Sequence, residues 1–208
     1  MDAEEEKRAV ENSKEDPAAF GPLFDKYYPA IFRYALHRTG NADVAADIAA
    51  EAFFKALKNI SMFRFMGAPF SSWLYRIAGN EANRYFRKRK YEPASYNAAL
   101  DEGGFPEPRS DTDVEKELMD AQEAADKNKE FIEAKAAIAS LPVNYQEALV
   151  LRFMEGKKTS EIARILGKSE GTVKSLISRG IEKLKRHFKA EKAQRFKGES
   201  VIHSKDNK

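Results

Sequence analysis

No cysteine occurs in the sequence. That excludes disulfides and thiolate chemistry and suits a reducing cytosol. No apolar run approaches the ~20 residues of a membrane helix. The opening stretch "MDAEEEKRAVENSKED" is acidic and lacks an apolar centre, so no signal peptide is expected there. The expectation is a cytoplasmic chain without direct membrane insertion. Histidine is scarce: His37, His187 and His203 are scattered, and no carboxylates carry metal-ligand spacing. No catalytic residue, metal, cofactor or small-molecule substrate is therefore assigned, and a nucleic-acid enzyme is disfavoured. His37 reads more simply as a cation at a helix C-terminus.

The net charge of +3 conceals an uneven distribution. Between Glu92 and Asp126 there are eleven acids and two bases, Arg109 and Lys116. Between Arg164 and Lys197 there are eleven bases and three acids, Glu170, Glu182 and Glu191. A nucleic-acid-binding end and an acidic connector fit this pattern; solvated helix faces fit it too.

Helical periodicity dominates, and no strand alternation is convincing. Asp16–Pro17 reads as an N-cap followed by a first-turn proline. The following apolar spacing includes Phe20, Leu23, Phe24, Tyr27, Ile31, Tyr34 and Ala35, with Pro22 and Pro29 allowing a kink or break. Thr39–Gly40–Asn41 marks a stop and a new cap. A second helix is predicted from about Ala42 to Lys58. A third starts near Ser71 and ends in the basic run Arg84, Arg87, Lys88, Arg89 and Lys90. From 91 to about 129 periodicity gives way to Pro, Gly, Asp and Ser, the mark of a flexible acidic linker. It returns from Phe131. Asn144 is a candidate cap for a helix ending at Gly156. A helix from Thr159 or Ser160 stops at Gly167, and Ser169 caps another running to about Phe188. The fold expected is all-α: two small helical domains joined by a flexible acidic linker, the second a helix-turn-helix. Its parts are an acidic N-terminal extension (1–15), a first domain (16–90), the linker (91–129), a second domain (130–188) and a frayed basic tail (189–208).

The spacing Ala163–Gly167–Val173 fits a helix-turn-helix. A small residue at 163 lets two helices approach, Gly167 supplies a positive-φ turn, and Val173 packs the second helix back. That second helix would then enter the major groove. Ser169, Glu170, Gly171, Thr172, Lys174, Ser175, Ser178 and Arg179 are the candidate groove-facing residues, with Lys183, Lys185 and Arg186 adding general attraction. Gly171 lies where free N–H groups favour a phosphate and close backbone approach helps. Gly180 has no such role, and tight packing is its simplest explanation. An ordinary helical hairpin would share much of this pattern.

"AADIAAEAFFKALKNI", then "FSSWLYRIAGNEANRYFRKRK", then a linker and "LPVNYQEALVLRFMEGKKTSEIARILGKSEGTVKSLISRGIEKLK", resembles the extracytoplasmic-function (ECF) group of bacterial sigma factors. The resemblance covers roughly Pro17–Lys90 and Phe131–Phe188. It implies a dissociable subunit that binds RNA polymerase core and directs it to promoter DNA. Asp47 and Glu51 look like the polymerase-binding face. The segment "SMFRFMGAPF" and the third helix look like the −10 reader, with Arg64, Arg76, Asn80, Asn83, Arg84, Arg87 and Lys88 as contacts. Asparagine amides, cations and aromatic rings suit an unpaired strand, including an extruded base. Phe70 and Trp73 read individually as core.

The sequence departs from the family pattern at several positions. Ala50 stands where the family often has Gln, Arg84 where Asp is frequent, and Leu176 where Arg is common. The loop Phe65-Met66-Gly67-Ala68-Pro69 replaces a more polar one. Relatives are often held by an anti-sigma factor, which the resemblance makes an expected partner. The linker is either an inert spacer or an acidic strand for a basic channel. The alternative function is a stand-alone helix-turn-helix regulator that binds duplex DNA without polymerase.

Overall fold

The computed structural model describes residues 1–65, 67–91, 133–134 and 136–202, with side chains described to Lys88 and from Glu133 to Ala190 apart from residues 66 and 135. Most of the expected acidic linker, Met66 and the last six residues lie outside the described residues. Among the described residues there is no strand. The helices whose bounds lie among the described residues are α1 (Ala3–Asn12), α2 (Gly21–Thr39), α3 (Ala42–Lys58), α4 (Phe70–Tyr91), α5 (Val143–Leu149), α6 (Thr159–Leu166) and α7 (Glu170–Ile202), and residues 136–139 are helical too.

α1 was not anticipated, because its sequence is mostly charged. Its start is a capping box: the Asp2 carboxylate accepts from the backbone N–H of Glu4 and Glu5, and the Glu5 carboxylate accepts from that of Asp2. Val10 is fully buried, and buried Glu6 pairs with Lys26 at 2.6 Å and accepts the Tyr27 hydroxyl. Asp16 caps a 3-10 turn, Pro17–Phe20, before α2 begins. Pro29 does not break α2. It lies on the solvent side, where water can satisfy the carbonyl its missing N–H leaves, while Leu23, Ile31, Tyr34 and Ala35 anchor the other side. Gly40 ends α2 at φ 68°, and Asn41 caps α3 by accepting from the Val44 N–H at 2.9 Å.

α2, α3 and α4 enclose one core. α3 contributes Ala45, Ile48, Ala49, Ala52, Phe53 and Ala56, and α4 contributes Phe70, Leu74, Tyr75, Ala78 and Ala82. The alanines allow close helix approach, while each fully buried Leu, Ile or Phe contributes about 1.5–3 kcal/mol. Phe70 is fully buried and Trp73 packs half-buried against it and Phe63.

In the C-terminal part, Asn144 is not a cap; α5 starts directly after Pro142 at Val143. α5 then widens into a π-helical turn, Val150–Met154, closed by the Glu155 N–H on the Val150 carbonyl and followed by Gly156 at φ 64°. α6 ends at Gly167, φ 62°, and Val173 is fully buried. α7 continues to Ile202, so the tail expected to fray begins as helix. Gly180 faces α5: a Cβ there would sit 3.0 Å from Leu149 Cδ1 and 3.2 Å from its Cγ. Gly180→Val should overpack this contact and cost about 1–3 kcal/mol. Urea unfolding followed by helicity would measure it, and Gly171, whose nearest neighbour to an added Cβ is at 3.9 Å, supplies the control Gly171→Ala.

Candidate nucleic-acid interface

α7 presents its predicted groove residues to solvent. Ser169, Glu170, Gly171, Thr172, Lys174, Ser175, Ser178, Arg179 and Lys183 are all exposed. The opposite side is the apolar row Val173, Ile177, Gly180 and Leu184, whose spacing holds the helix against its neighbours. Ser169 accepts from the Thr172 N–H at 3.2 Å and its hydroxyl lies 2.9 Å from that of Thr172. This cap fixes the start of the helix and leaves the open space at Gly171. Lys183 Nζ lies 5.6 Å from the Tyr145 ring centre, so it leans toward α5. Leu176 is only partly exposed, and no cation takes its place there.

The second surface is on α4. Asn80, Arg84, Arg87 and Lys88 are exposed along one side of that helix. Arg84 lies 3.3 Å from Glu81, which also takes Lys55 at 2.6 Å. A shallow groove of about 330 Å³ runs beside this row, lined by residues that include Lys55, Met62, Trp73 and Asn80. Arg64 folds back on its own loop, donating to the carbonyls of Ser61 and Phe63. Phe63 is buried and Phe65 is partly exposed.

Arg76 is exposed as well, but both it and half-buried Asn83 are engaged within the protein. Arg76 donates from Nε to the Ile165 carbonyl at 3.0 Å and from a terminal nitrogen to the Arg164 carbonyl. These are last-turn carbonyls of α6, which lack partners within their helix and carry the negative end of its dipole. Asn83 accepts from Arg38 at 2.7 Å. Arg38 is buried, and also donates to the Tyr34 hydroxyl at 3.0 Å and to Gln146 at 3.1 Å, with Glu147 at 3.6 Å. Nearby, the Glu155 side chain is fully buried. It takes Arg33 at 3.1 Å, accepts from the Tyr75 hydroxyl at 2.9 Å and lies 3.9 Å from His37 Nε2. His37 thus sits at a helix end as predicted, facing a carboxylate from the other half of the chain.

Sequence reasoning missed Arg33, Arg38, Glu147 and Glu155, because charged residues at helical spacing read as solvated faces. It also missed Phe54. On α3, Asp47 and Ala50 are exposed, Glu51 pairs with Lys55 at 3.1 Å, and Phe54 remains 60% exposed beside them. An apolar residue on the acidic face was the available signal.

The Sigma-70 region 2 model matches residues 23–91, and the Sigma-70 region 4 model matches 132–184. The sequence is 33% identical over 195 residues to the ECF RNA polymerase sigma factor SigW of Bacillus subtilis, covering 88% of this chain and 96% of that one. The chain belongs to the ECF sigma factors. It is also 31% identical over 169 residues to the ECF RNA polymerase sigma factor BldN of Streptomyces coelicolor, covering 81% of this chain and 60% of that protein. Two solved structures share the fold. One is CnrH in complex with the cytosolic domain of CnrY, at TM-score 0.61 and 19% identity, covering 89% of this chain and 98% of that one. The other is the sigma factor RpoE of Bartonella quintana with the anti-sigma factor NepR, at TM-score 0.55 and 24% identity, covering 82% and 96%. In this ECF sigma factor, α4 lies in the region 2 match and α6 and α7 begin in the region 4 match, so Arg76 and Glu155 bridge the two regions. Among the described residues no helix is long and apolar enough to cross a membrane, and no group of side chains is arranged to hold a metal.

Burial first, and the neighbouring Glu155 carboxylate second, push the Tyr75 phenol above its ordinary value of 10.0. Burial is also the main cause for Tyr34 and Tyr27. All three remain neutral donors where free tyrosine ionises. Their contribution to stability is complete below pH 10 and is lost as pH rises through the raised folded values, since the unfolded chain gives up those protons first. An alkaline absorbance titration should show Tyr27, Tyr34 and Tyr75 ionising late and together with loss of helix.

Proposed function

We propose that this ECF sigma factor binds RNA polymerase core and directs it to promoters, with region 4 at the −35 element and region 2 at the melted −10 element. The observation that carries the reading is the presence on one chain of two separate polar, basic helix faces, α7 and the exposed row on α4. A duplex reader needs the first; an unpaired strand suits the second, where amides and cations adjoin a groove beside Trp73. The assignment places region 2 within 16–90 and region 4 within 130–188, with the acidic segment as the tether. Asp47, Glu51 and Phe54 on α3 form the core-binding face: an exposed aromatic amid acids is the composition of a docking anchor. The role is that of an initiation factor acting in the cytoplasm, not an enzyme. An anti-sigma factor is a further proposed partner, supported by the RpoE–NepR complex among structures of the same fold.

Run-off transcription with purified core across genomic templates tests the reading. Specific transcripts dependent on this protein are expected. Duplex binding without any engagement of core would instead establish the stand-alone regulator. Phe54→Asp should weaken core binding by about 30-fold or more, the scale of a hot spot, while changing stability by less than about 0.5 kcal/mol. Lys174→Ala should weaken promoter binding and reduce its salt dependence by about one counterion. Equilibrium binding across a salt series measures both.

A further inference from the structure

The region 2 match starts at residue 23, so α1 and the Pro17–Phe20 turn lie outside it. The structure ties both to one ring. Phe70, at the start of α4, has no solvent exposure. Phe20 meets it edge-on at 6.3 Å between ring centres, and Tyr27 meets it at 5.9 Å. Phe70 also touches Phe63 at 5.3 Å and Trp73 at 5.7 Å, and those two rings lie 5.1 Å apart. Phe63 in turn carries the partly exposed Phe65 at 4.9 Å. Phe70 is thus the junction between the N-terminal segment and the loop assigned to the −10 strand.

Tyr27 is held at its polar end. Its hydroxyl donates to the Glu6 carboxylate, which also pairs with Lys26 at 2.6 Å, and the Lys26 ammonium lies 5.0 Å from the Tyr27 ring centre. The Glu6 side chain is only 10% exposed. A carboxylate so buried is kept only where donors surround it. The capping box at Asp2 and the fully buried Val10 fix the helix that presents Glu6. The hydroxyl pins one end of the tyrosine while the ring body packs on Phe70, so the ring has few ways to turn.

A ring that stacks on an unpaired base gains most when its orientation is set before the strand arrives, because ordering it on binding costs affinity. Trp73 lines the groove with Asn80 and with Met62, which is 70% exposed. Glu6 and Tyr27 lie outside that lining. Resting on the sigma-factor reading above, we infer that Glu6 and Tyr27 are positioning residues for the −10 reader: α1 grips Tyr27, Tyr27 packs on Phe70, and Phe70 sets Phe63 and Trp73 beside the groove. α1 then contributes to strand capture without touching DNA, and contributes nothing to core binding or −35 reading.

Trp73 is the single tryptophan, so its fluorescence reports the groove directly. Tyr27→Phe keeps the ring and removes only the grip; Glu6→Ala removes the acceptor. In the free full-length chain both should raise acrylamide quenching of Trp73 at native helicity. With core bound, both should weaken capture of a single strand carrying the −10 sequence of a promoter found by run-off transcription. The loss should be about fivefold or more, the lower end of one base–aromatic stack. Affinity for core and for the −35 duplex should stay unchanged. The double variant should be no worse than the stronger single one, since both break one contact. Phe24→Ala supplies a variant on the same helix whose ring packs on Tyr28 and Phe53 instead of Phe70, and it should leave Trp73 and strand capture as they are. Unchanged quenching and strand capture in both folded variants overturn the inference. So does an equal loss of strand and core affinity, the mark of general destabilisation. If wild-type run-off transcription succeeds in either case, the sigma-factor reading stands and the positioning role alone fails. If Trp73 responds but the wild type yields no core-dependent transcript, the sigma-factor reading fails and the −10 role falls with it.

Discussion

A carboxylate with no solvent exposure must be surrounded by donors, because an unpaired buried charge costs several kcal/mol. Glu155 meets that demand with Arg33 and Tyr75, both from helices that precede it by many residues, and His37 Nε2 lies 3.9 Å away. The position of region 4 on region 2 follows from this constraint. The π turn places Glu155 at the boundary, Gly156 turns the chain away, and Lys157 comes to lie 4.6 Å from the Tyr75 ring centre. Arg38 repeats the logic from the other side: a buried guanidinium divides its donors among Tyr34, Asn83 and Gln146. Removing one partner from either group would strand a charge, so these residues act as sets.

The two candidate DNA surfaces are consequently unequal. α7 is held from behind by Val173, Ile177, Gly180 and Leu184 and offers its front to solvent. α4 is shared: its buried side fills the region 2 core, its outer row is open, and exposed Arg76, buried Gly79 and half-buried Asn83 also meet other parts of the protein. A helix with three duties leaves little freedom at any position. At Gly79 an added methyl would reach the end of the Glu147 side chain, which would have to shift. Gly180 serves a similar end inside region 4, where the contact is with Leu149 and apolar.

Much of the local structure is legible in the sequence. α3 runs from Ala42 to Lys58 as predicted, because Asn41 caps it and its apolar positions recur at helical spacing. The turn at Gly167, the Ser169 cap and the burial of Val173 follow from residue type alone. α1 escaped notice because its start is a capping box and one of its two buried residues, beside Val10, is an acid, Glu6, so a mostly charged stretch gives little apolar signal. The polar contacts between the regions escaped for a deeper reason. Glu155 lies 122 residues after Arg33, and Gln146, which accepts from Arg38, lies 108 after it. Helical periodicity reports which side of a helix is apolar, and it carries no information about which charge will meet which. Likewise Arg76 and Asn83 have the right chemistry for a DNA strand; only the fold places them against another part of the protein.

The central physical claim is that polar pairing across the boundary holds the free chain compact. Small-angle X-ray scattering of the unmodified protein tests it without labels or partners. A single closed body of this length should give a radius of gyration close to ~17 Å. Arg33→Glu should enlarge it measurably at the same helicity. A value about half again as large for the unmodified protein, unaltered by that substitution, would contradict the account.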